Sequence, residues 1–186
     1  MKPTFEPLVS SANTSFLVRH FEEKCFSAPY HFHPEYELTW IVEGSGKRYV
    51  GTHMHDYFPG DLVLLGSNLP HCWKTENSKA GENSSSVVVQ FHPDFMGKDF
   101  FSRPEMKYIH RLLTNSQSGI QFTGNTENLK EKMNRMLDEN HSFRKWALLM
   151  DILNELASTK EYSLLSQEAP APELSVLEKA RMNTCI

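Results

Sequence analysis

Short apolar segments, in which apolar and polar positions often alternate, follow one another through the first half of the chain. The main ones are FLVRHF (residues 16–21), YELTWIVEG, GKRYVG, DLVLLG and SSVVVQFH. They are rich in β-branched and aromatic residues and are separated by Gly, Pro, Asn or Ser, which is typical of strands and turns. Short strands at close spacing, without long helical patterns between them, predict an antiparallel sandwich or barrel. The polar stretch 75–86 is predicted to be an exposed loop.

The apolar period changes after Pro93, and three helices are predicted there. In RPEMKYIHRLL the side chains of Met106, Ile109 and Leu113 fall on one helical stripe, and Pro104 suits the first turn. The segments NTENLKEKMNRMLDEN and SFRKWALLMDILNELAST repeat this pattern and are predicted to form a helical hairpin. The apolar face of this hairpin needs a cover, which is either the neighbouring sheet or the hairpin of a second copy.

A stretch with alternating proline and alanine, SQEAPAPEL (residues 166–174), follows the hairpin and is predicted to be an extended linker. The chain then begins another amphipathic segment, ELSVLEKARMNTCI. A single helix cannot bury its own apolar face. This segment is therefore expected either to dock on the body of the protein or to begin a further domain.

The composition limits the classes of function. A chain of 186 residues can bury one well-packed domain, or one compact domain with a helical appendage. The net charge of -4 and the pI near 6.1 argue against direct binding of nucleic acid, which requires clustered Lys and Arg. Cys25, Cys72 and Cys185 form no CxxC pair, which favours a reducing cytoplasm over a disulfide framework or a thiolate zinc site. No signal peptide or membrane span is predicted, so the expected location is the cytoplasm, without a membrane partner.

The stretch HFHPEYELTWIVEG carries the residues with the clearest chemistry. On an extended strand alternate residues share a face, so His31, His33 and Glu37 are expected to converge on one point. Imidazole nitrogens and a carboxylate suit zinc, iron, nickel or manganese, and His71 in LPHCW is the natural fourth ligand. The alternative is that these histidines hydrogen-bond a small ligand or one another. Pro34 is also typical of a bulge, which would break the strand parity locally.

Two further features bear on this site. Glu35 has the same strand parity as the three residues, so it can compete with them for a metal or hydrogen-bond them. His53 and His55 form a second His-x-His pair in GTHMHD, but no carboxylate follows at the same spacing. We therefore interpret this second pair as ordinary strand histidines.

The site residues resemble those of the cupin superfamily. Its first motif, His-x-His-x3-Glu-x6-Gly, is met by four residues: His31, His33, Glu37 and Gly44. Its second motif, Gly-x5-Pro-x-Gly-x2-His-x3-Asn, lines up with residues 60–75 and keeps its ligand histidine at His71. Three residues stand where the motif has proline, its second glycine and its final asparagine: Gly66, Asn68 and Thr75. The resemblance implies a minimal β-barrel that holds a divalent ion through three histidines and one glutamate.

A likeness to one group of AraC-type transcriptional regulators is more specific. The segments HPEYEL, GSGKR, GDLVL and NLPH occur in the same order as in the N-terminal sensing domain of those proteins. The resemblance continues through RPEMKYIHRLLTNSQSGIQFTG and the hairpin to LEKARMN, and so spans nearly the whole chain. It implies a barrel that takes up an effector, a hairpin that mediates dimerisation, and a C-terminal DNA-binding domain with two helix-turn-helix units. That last domain is missing here, so the chain resembles a regulator cut at its linker.

This resemblance predicts three regions. Residues 1–95 are expected to form the cupin sensor barrel, and residues 96–165 the helical dimerisation region. Residues 166–186 are expected to be the linker and the start of a truncated DNA-binding domain. The predicted partners are a small-molecule effector such as a sugar, a second copy of the chain, and DNA only through the missing domain.

The predicted function is therefore ligand sensing and dimerisation, and not catalysis. The predicted ligand-binding residues are His31, His33, Glu37, Tyr49 and His71. Tyr49 is predicted to form an aromatic wall of the binding site. The other four residues are also the predicted ligands of a divalent metal such as Zn, Ni, Fe or Mn. Trp40 is a second candidate wall, although strand parity places it opposite His31. The alternatives are a small metal-dependent cupin enzyme, of the dioxygenase or sugar isomerase type, and a purely structural interaction module.

Overall fold

The fold is that of a computed structural model, which describes residues 1–8, 14–76 and 83–166. The predicted linker and final helical segment lie outside these residues, apart from Ser166. The strands are β1 Thr4–Phe5, β2 Phe16–Glu23, β3 His31–Phe32, β4 Tyr36–Glu43, β5 Gly46–Val50, β6 His53–Tyr57, β7 Leu62–Leu65, β8 His71–Thr75, β9 Ser84–Phe91, β10 Ile120–Phe122 and β11 Tyr162–Leu164. The helices are α1 Lys107–Asn115, α2 Glu127–Asp138 and α3 Ser142–Ser158.

The three helices agree with the apolar period of the sequence. A 3-10 turn over Pro104–Met106 leads into α1, as the proline predicted. Helices α2 and α3 pack on each other as a hairpin. Within the described residues, no helix is long and apolar enough to cross a membrane. Strands β10 and β11 were not predicted, because three residues are too few to show an alternating pattern.

The strands form two sheets that stack as a sandwich. The five-stranded sheet has the order β1-β3-β8-β5-β6, and the six-stranded sheet has the order β11-β10-β7-β4-β9-β2. All neighbours are antiparallel except β1 and β3. The predicted class, mainly β with helices and a jelly-roll arrangement, is confirmed, but hydrogen bonds do not close the sheets into one barrel.

The break between the sheets lies at Pro34. Strand β3 belongs to the five-stranded sheet and β4, only four residues later, to the six-stranded sheet. Proline has no N–H group to donate to a strand partner, so the ladder of β3 cannot continue through it. The Pro34 carbonyl instead accepts a hydrogen bond from Ser67 Oγ at 2.6 Å. The chain therefore changes sheets inside the predicted metal motif.

The six-stranded sheet has two apolar faces. Its outer face packs against the helices, with a core that includes Leu38, Leu64, Val89, Phe91, Met133, Leu149 and Leu153. Its inner face meets the five-stranded sheet around Ile41, Val63, Leu65 and Trp73. Of the two covers considered for the hairpin, the chain's own sheet is the one observed.

Gly46 offers a test of the close packing at the start of β5. It pairs with Thr75 of β8, and a Cβ atom on it would clash with the Lys74 carbonyl oxygen. Because this neighbour is backbone, it cannot rotate away. Gly46→Ala is therefore expected to lower the free energy of unfolding by about 3 kcal/mol, measured by urea denaturation.

The neighbouring residue provides the control for this substitution. Ser45 is exposed in the turn before β5, so Ser45→Ala is expected to leave stability within about 0.5 kcal/mol of the parent chain. Equal stabilities of the two variants would show that β5 and β8 lie further apart than described.

Candidate ligand and metal site

The four predicted metal ligands lie together between the two sheets. His31 on β3 and His71 on β8 are directly opposite each other in the five-stranded sheet. His33 follows β3 where the chain leaves that sheet, and Glu37 lies on β4 in the other one. All four are buried. The expectation that one strand would align them is wrong, since they converge from two sheets.

The side chains of these residues are within reach of one another. Glu37 Oε2 lies 3.1 Å from His33 Nε2 and 3.6 Å from His71 Nε2. The ring centroids of His31 and His71 are 4.4 Å apart. One nitrogen from each of the three imidazoles lies within 4.8 Å of the others. This spacing is compatible with three imidazoles sharing one ligand.

Backbone carbonyls fix the orientation of two of the imidazole rings. His31 Nδ1 lies 2.8 Å from the Pro29 carbonyl, and His71 Nδ1 lies 2.8 Å from the Leu69 carbonyl. A carbonyl only accepts hydrogen bonds, so each Nδ1 donates, and a neutral His71 ring then keeps its lone pair on Nε2. The buried Nε2 of His71 has no hydrogen-bond partner. This is the arrangement typical of histidines that bind a metal through Nε2.

Glu37 is the acceptor at the centre of the site. Its Oε1 accepts from Thr39 Oγ1 at 2.7 Å, and its Oε2 accepts from Gln90 Nε2 at 2.7 Å and from His33 Nε2. Burial alone would raise the pKa of Glu37, but the neighbouring imidazoles of His71 and His33 hold that pKa well below its usual value. Glu37 is therefore an ionised carboxylate in a largely apolar interior.

Two other carboxylates contact the histidines. Burial lowers the pKa of His33, but the neighbouring carboxylates of Glu35 and Glu37 outweigh it and raise the pKa to about 9. Glu35 Oε2 lies 3.4 Å from His33 Nδ1, which is an ion-pair contact and not a hydrogen bond. Glu6, from the N-terminal arm, places Oε2 at 3.0 Å from His31 Nε2. The donor set suits a divalent cation, which would replace these proton-mediated contacts.

A cavity of about 160 Å³ lies beside this cluster, between the sheets. Its polar lining includes Glu6, Arg19, His31, Glu37, Thr39 and Gln90. Its apolar lining includes Phe21, Phe26, Ile41, Trp73 and Val88. His33 and His71 contact the lining residues but do not line the cavity themselves. The N-terminal arm, through Glu6, forms part of the wall.

The structure does not bring the two predicted aromatic walls to the cavity. Tyr49 pairs with Cys72 in register, while its neighbours Arg48 and Val50 are the residues of β5 that point inward. Trp40 packs against the helical core on the outer face of its sheet, as strand parity indicated. Aromatic residues that do line the cavity are Trp73, Phe21 and Phe26.

Sequence reasoning missed four residues of this site. Trp73 and Thr39 each lie two residues from a predicted ligand on the same strand, so the alternation of strand faces was a usable indication. Gln90 stood out only as a polar residue in an apolar strand. Nothing in the sequence placed Arg19 of β2 beside them, because that contact depends on the pairing of β2 with β9.

One family model and several solved structures are similar to this chain. A family model described as a cupin domain matches residues 17–82. No curated protein matches the chain. Among solved structures, a cupin 2 conserved barrel domain protein from Rhodopseudomonas palustris is 23% identical, with 45% of this chain and 57% of that chain covered and a TM-score of 0.35.

Two other similar structures differ in kind. ToxT from Vibrio cholerae O395 is 15% identical, with 92% of this chain and 64% of that chain covered and a TM-score of 0.48. A putative mannose-6-phosphate isomerase from Ralstonia eutropha JMP134 is 19% identical, with 47% of this chain and 82% of that chain covered and a TM-score of 0.36. The chain thus spans less than two thirds of the Rhodopseudomonas protein and of ToxT. The family match over residues 17–82, together with the sandwich and the His-x-His-x3-Glu motif, supports a cupin fold for the first half of the chain.

Proposed function

We propose that the chain is the ligand-sensing part of an AraC-type transcriptional regulator. The observation that carries this proposal is the cavity between the sheets, in which residues from β2, β4, β9 and the N-terminal arm face one another. A ligand regulates only if it binds two conformations unequally. A ligand held here contacts both the rigid sheet and the arm, whose Glu6 is tied to His31, so its binding can shift the position of the arm.

The state of the polar groups favours binding over catalysis. Glu37 is engaged by Thr39, Gln90 and His33, and His31 is engaged by Glu6 and the Pro29 carbonyl. A general acid or base must be within reach of a substrate proton and exchange it during the reaction. Side chains held in several hydrogen bonds are better suited to orient a ligand than to transfer its protons.

We include a divalent cation such as Zn, Ni, Fe or Mn in this proposal. His31, His33, His71 and Glu37 would hold it, and the unpartnered Nε2 of His71 supports the assignment. When bound, such an ion supplies a Lewis acid that polarises an oxygen of the ligand. The same four residues support the second candidate function, a small metal-dependent cupin enzyme of the dioxygenase or sugar isomerase type.

The hairpin is the proposed dimer contact. Its main apolar stripe, including Leu149 and Leu153, is already buried on the chain's own sheet. Exposed apolar residues near its turn include Phe143, whose ring lies 5.6 Å from that of Trp146, and nearby Met96. A dimer through this end leaves the cavity accessible. DNA binding is proposed only through a C-terminal helix-turn-helix domain, and the proposed location is the cytoplasm.

A reporter assay tests the sensing function. The chain is joined to the DNA-binding domain of a repressor that represses only as a dimer, and cells are grown with a panel of small sugars, acids and amides. We expect basal repression from dimerisation, and a change in repression with at least one compound. Two results together would favour the enzyme instead. No compound would change repression, and the purified chain would turn over a member of the panel in a metal-dependent reaction.

A substitution that fills the cavity sharpens this assay. Ser86 is buried on β9 and lines the cavity, so Ser86→Phe is expected to abolish the response and retain basal repression. Thr52→Phe, in an exposed turn, introduces the same side chain away from the cavity and is expected to respond like the parent chain. An unchanged response of Ser86→Phe would place the effector elsewhere.

A further inference from the structure

We propose that the ligand of this cavity carries a carboxylate, bound by Arg19, on a compact apolar body about the size of a benzene ring. This inference rests on the proposed function, because it names the chemistry of the ligand that the sensing cavity takes. It differs from the sequence-based expectation of a sugar.

The first observation is a hydrogen-bond donor of Arg19 that has no acceptor. The guanidinium lines the cavity from β2, and its Nη2 donates to Gln90 Oε1 at 2.9 Å. Its Cζ lies 5.7 Å from the centroid of the Phe21 ring, which holds the group against the cavity wall. Its Nε is buried without a hydrogen-bond partner. In the described part of the chain, no carboxylate forms an ion pair with Arg19.

The second observation is an independent donor in the same lining. Trp73 is 8% exposed and lines the cavity from the opposite sheet, and its Nε1 is also buried without a partner. An indole N–H and a guanidinium N–H donate but cannot accept hydrogen bonds. Two buried donors without acceptors are costly unless a bound molecule supplies the acceptors.

The carboxylates of the protein that line the cavity do not fill this role. Glu37 already accepts hydrogen bonds from Thr39, Gln90 and His33, and Glu6 pairs with His31. Glu23, the remaining acidic lining residue, is exposed. Arg19 therefore lines the cavity without a carboxylate partner among the described residues, and a ligand from outside the chain can supply one. The planar fork of an arginine matches a carboxylate, whose oxygens only accept hydrogen bonds.

The size and the walls of the cavity define the rest of the ligand. Its volume of about 160 Å³ is close to that of an engineered apolar cavity that takes up benzene. Phe21, Ile41, Val88 and the ring of Trp73 present apolar surface to this space. A sugar would place hydroxyl groups against these walls without hydrogen-bond partners. A short alkyl or aryl carboxylic acid satisfies both the donors and the walls.

Calorimetric titration of the full chain with benzoate as the probe tests this inference. Benzamide, a neutral molecule of the same shape, and D-glucose are titrated in parallel. We expect saturable binding of benzoate, and binding of benzamide that is about ten- to a hundredfold weaker, because it lacks the charge that strengthens hydrogen bonds to Arg19. Benzamide that binds as tightly as benzoate would overturn the inference.

Substitutions identify the group that binds the carboxylate. Arg19→Met is expected to weaken benzoate binding by about ten- to a hundredfold, and Trp73→Phe by a smaller factor. Arg19→Lys keeps the positive charge but lacks the planar guanidinium group, so it is expected to bind benzoate with intermediate affinity. This variant also controls for misfolding of Arg19→Met. Arg144→Met, at an exposed position on α3, is the matched control and is expected to bind like the parent chain.

The remaining outcomes separate this inference from the proposed function. Binding of D-glucose but not benzoate, unaffected by Arg19→Met, would overturn the carboxylate and leave the sensing cavity intact. In another outcome, benzoate still binds to Arg19→Met and ceases to bind after treatment with a chelator. That result would show that a metal ion binds the carboxylate, and it would overturn the role of Arg19. Failure of the whole compound panel to bind would overturn both.

Discussion

Replacing Arg48 with methionine is expected to lower the free energy of unfolding by about 3 to 5 kcal/mol, one of the two largest effects that we expect. Arg48 is 2% exposed and extends from β5 between the sheets. Its Nη1 donates to Asp61 Oδ2 at 3.3 Å and its Nη2 to Gln121 Oε1 at 3.2 Å. Asp61 precedes β7 and Gln121 lies on β10, so this one side chain links the five-stranded sheet to two strands of the other.

The expected loss arises from the charge that is left behind. Burial raises the pKa of Asp61, and the Arg48 guanidinium only partly offsets this effect. Without Arg48, the folded protein must keep Asp61 ionised in a poorly solvated position, or protonate it. The loss is therefore largest at pH values above the raised pKa of Asp61, and it shrinks as the pH falls and Asp61 takes up a proton.

Urea denaturation at neutral and acidic pH measures this effect. The double variant Arg48→Met with Asp61→Leu removes both charges and is expected to be more stable than Arg48→Met alone. Lys47→Met, at the adjacent position on β5, breaks a surface ion pair with Asp56 and is expected to change stability little. A double variant less stable than either single variant would mean that Asp61 is stabilised by groups other than Arg48.

Replacing His71 with alanine is expected to weaken binding of Zn²⁺ by about a hundredfold or more. The orientation of its ring is already fixed by the bond from Nδ1 to the Leu69 carbonyl, and its Nε2 is buried beside Glu37 and His31. Loss of this nitrogen removes one of the three imidazoles that converge on the site. Competition with a coloured chelator measures the affinity of both proteins.

The second His-x-His pair provides the control for this experiment. His53 and His55 stack at 4.7 Å between ring centroids on the exposed strand β6. His55→Ala is expected to leave zinc affinity unchanged. If His55→Ala weakens zinc binding as much as His71→Ala does, the ion binds at the surface pair and not at the buried cluster.

The motif spacing pointed to four residues that the structure brings close together, but the reasoning from strand parity holds only in part. Strand parity predicted that His31 and Glu37 share one face of a single strand, whereas the sheet change at Pro34 places them on opposite sheets. Motif spacing succeeds because it records the whole path of the chain, including the turn. Parity is a rule for one continuous strand and does not extend across a break.

The departures from the second cupin motif have physical explanations in the structure. Asn68, where the motif has glycine, adopts a left-handed backbone conformation with φ of 60°, which asparagine tolerates better than most residues. Its N–H donates to the His33 carbonyl at 2.8 Å and so supports the site. At Gly66, where the motif has proline, a Cβ would lie 2.7 Å from Gln117 Cα. These contacts could not be predicted, because they join segments far apart in the sequence.

The cavity itself was the least predictable feature. Arg19, Gln90 and Trp73 lie on three different strands, and only the pairing of β2 with β9 and the stacking of the two sheets bring them together. Each residue taken alone fits an ordinary strand position. Their shared environment, two buried donors without acceptors beside apolar walls, exists only in the folded chain.

A crystallographic fragment screen of the full chain tests the central claim, a ligand-binding cavity between the sheets, most directly. The library contains small acids, amides and polyols in equal numbers. We expect bound fragments to concentrate in the cavity between Thr39, Val88 and Trp73, with acids more frequent than amides. Fragments that bind only in the surface groove beside Phe143 and Trp146, and none in the cavity, would contradict the claim.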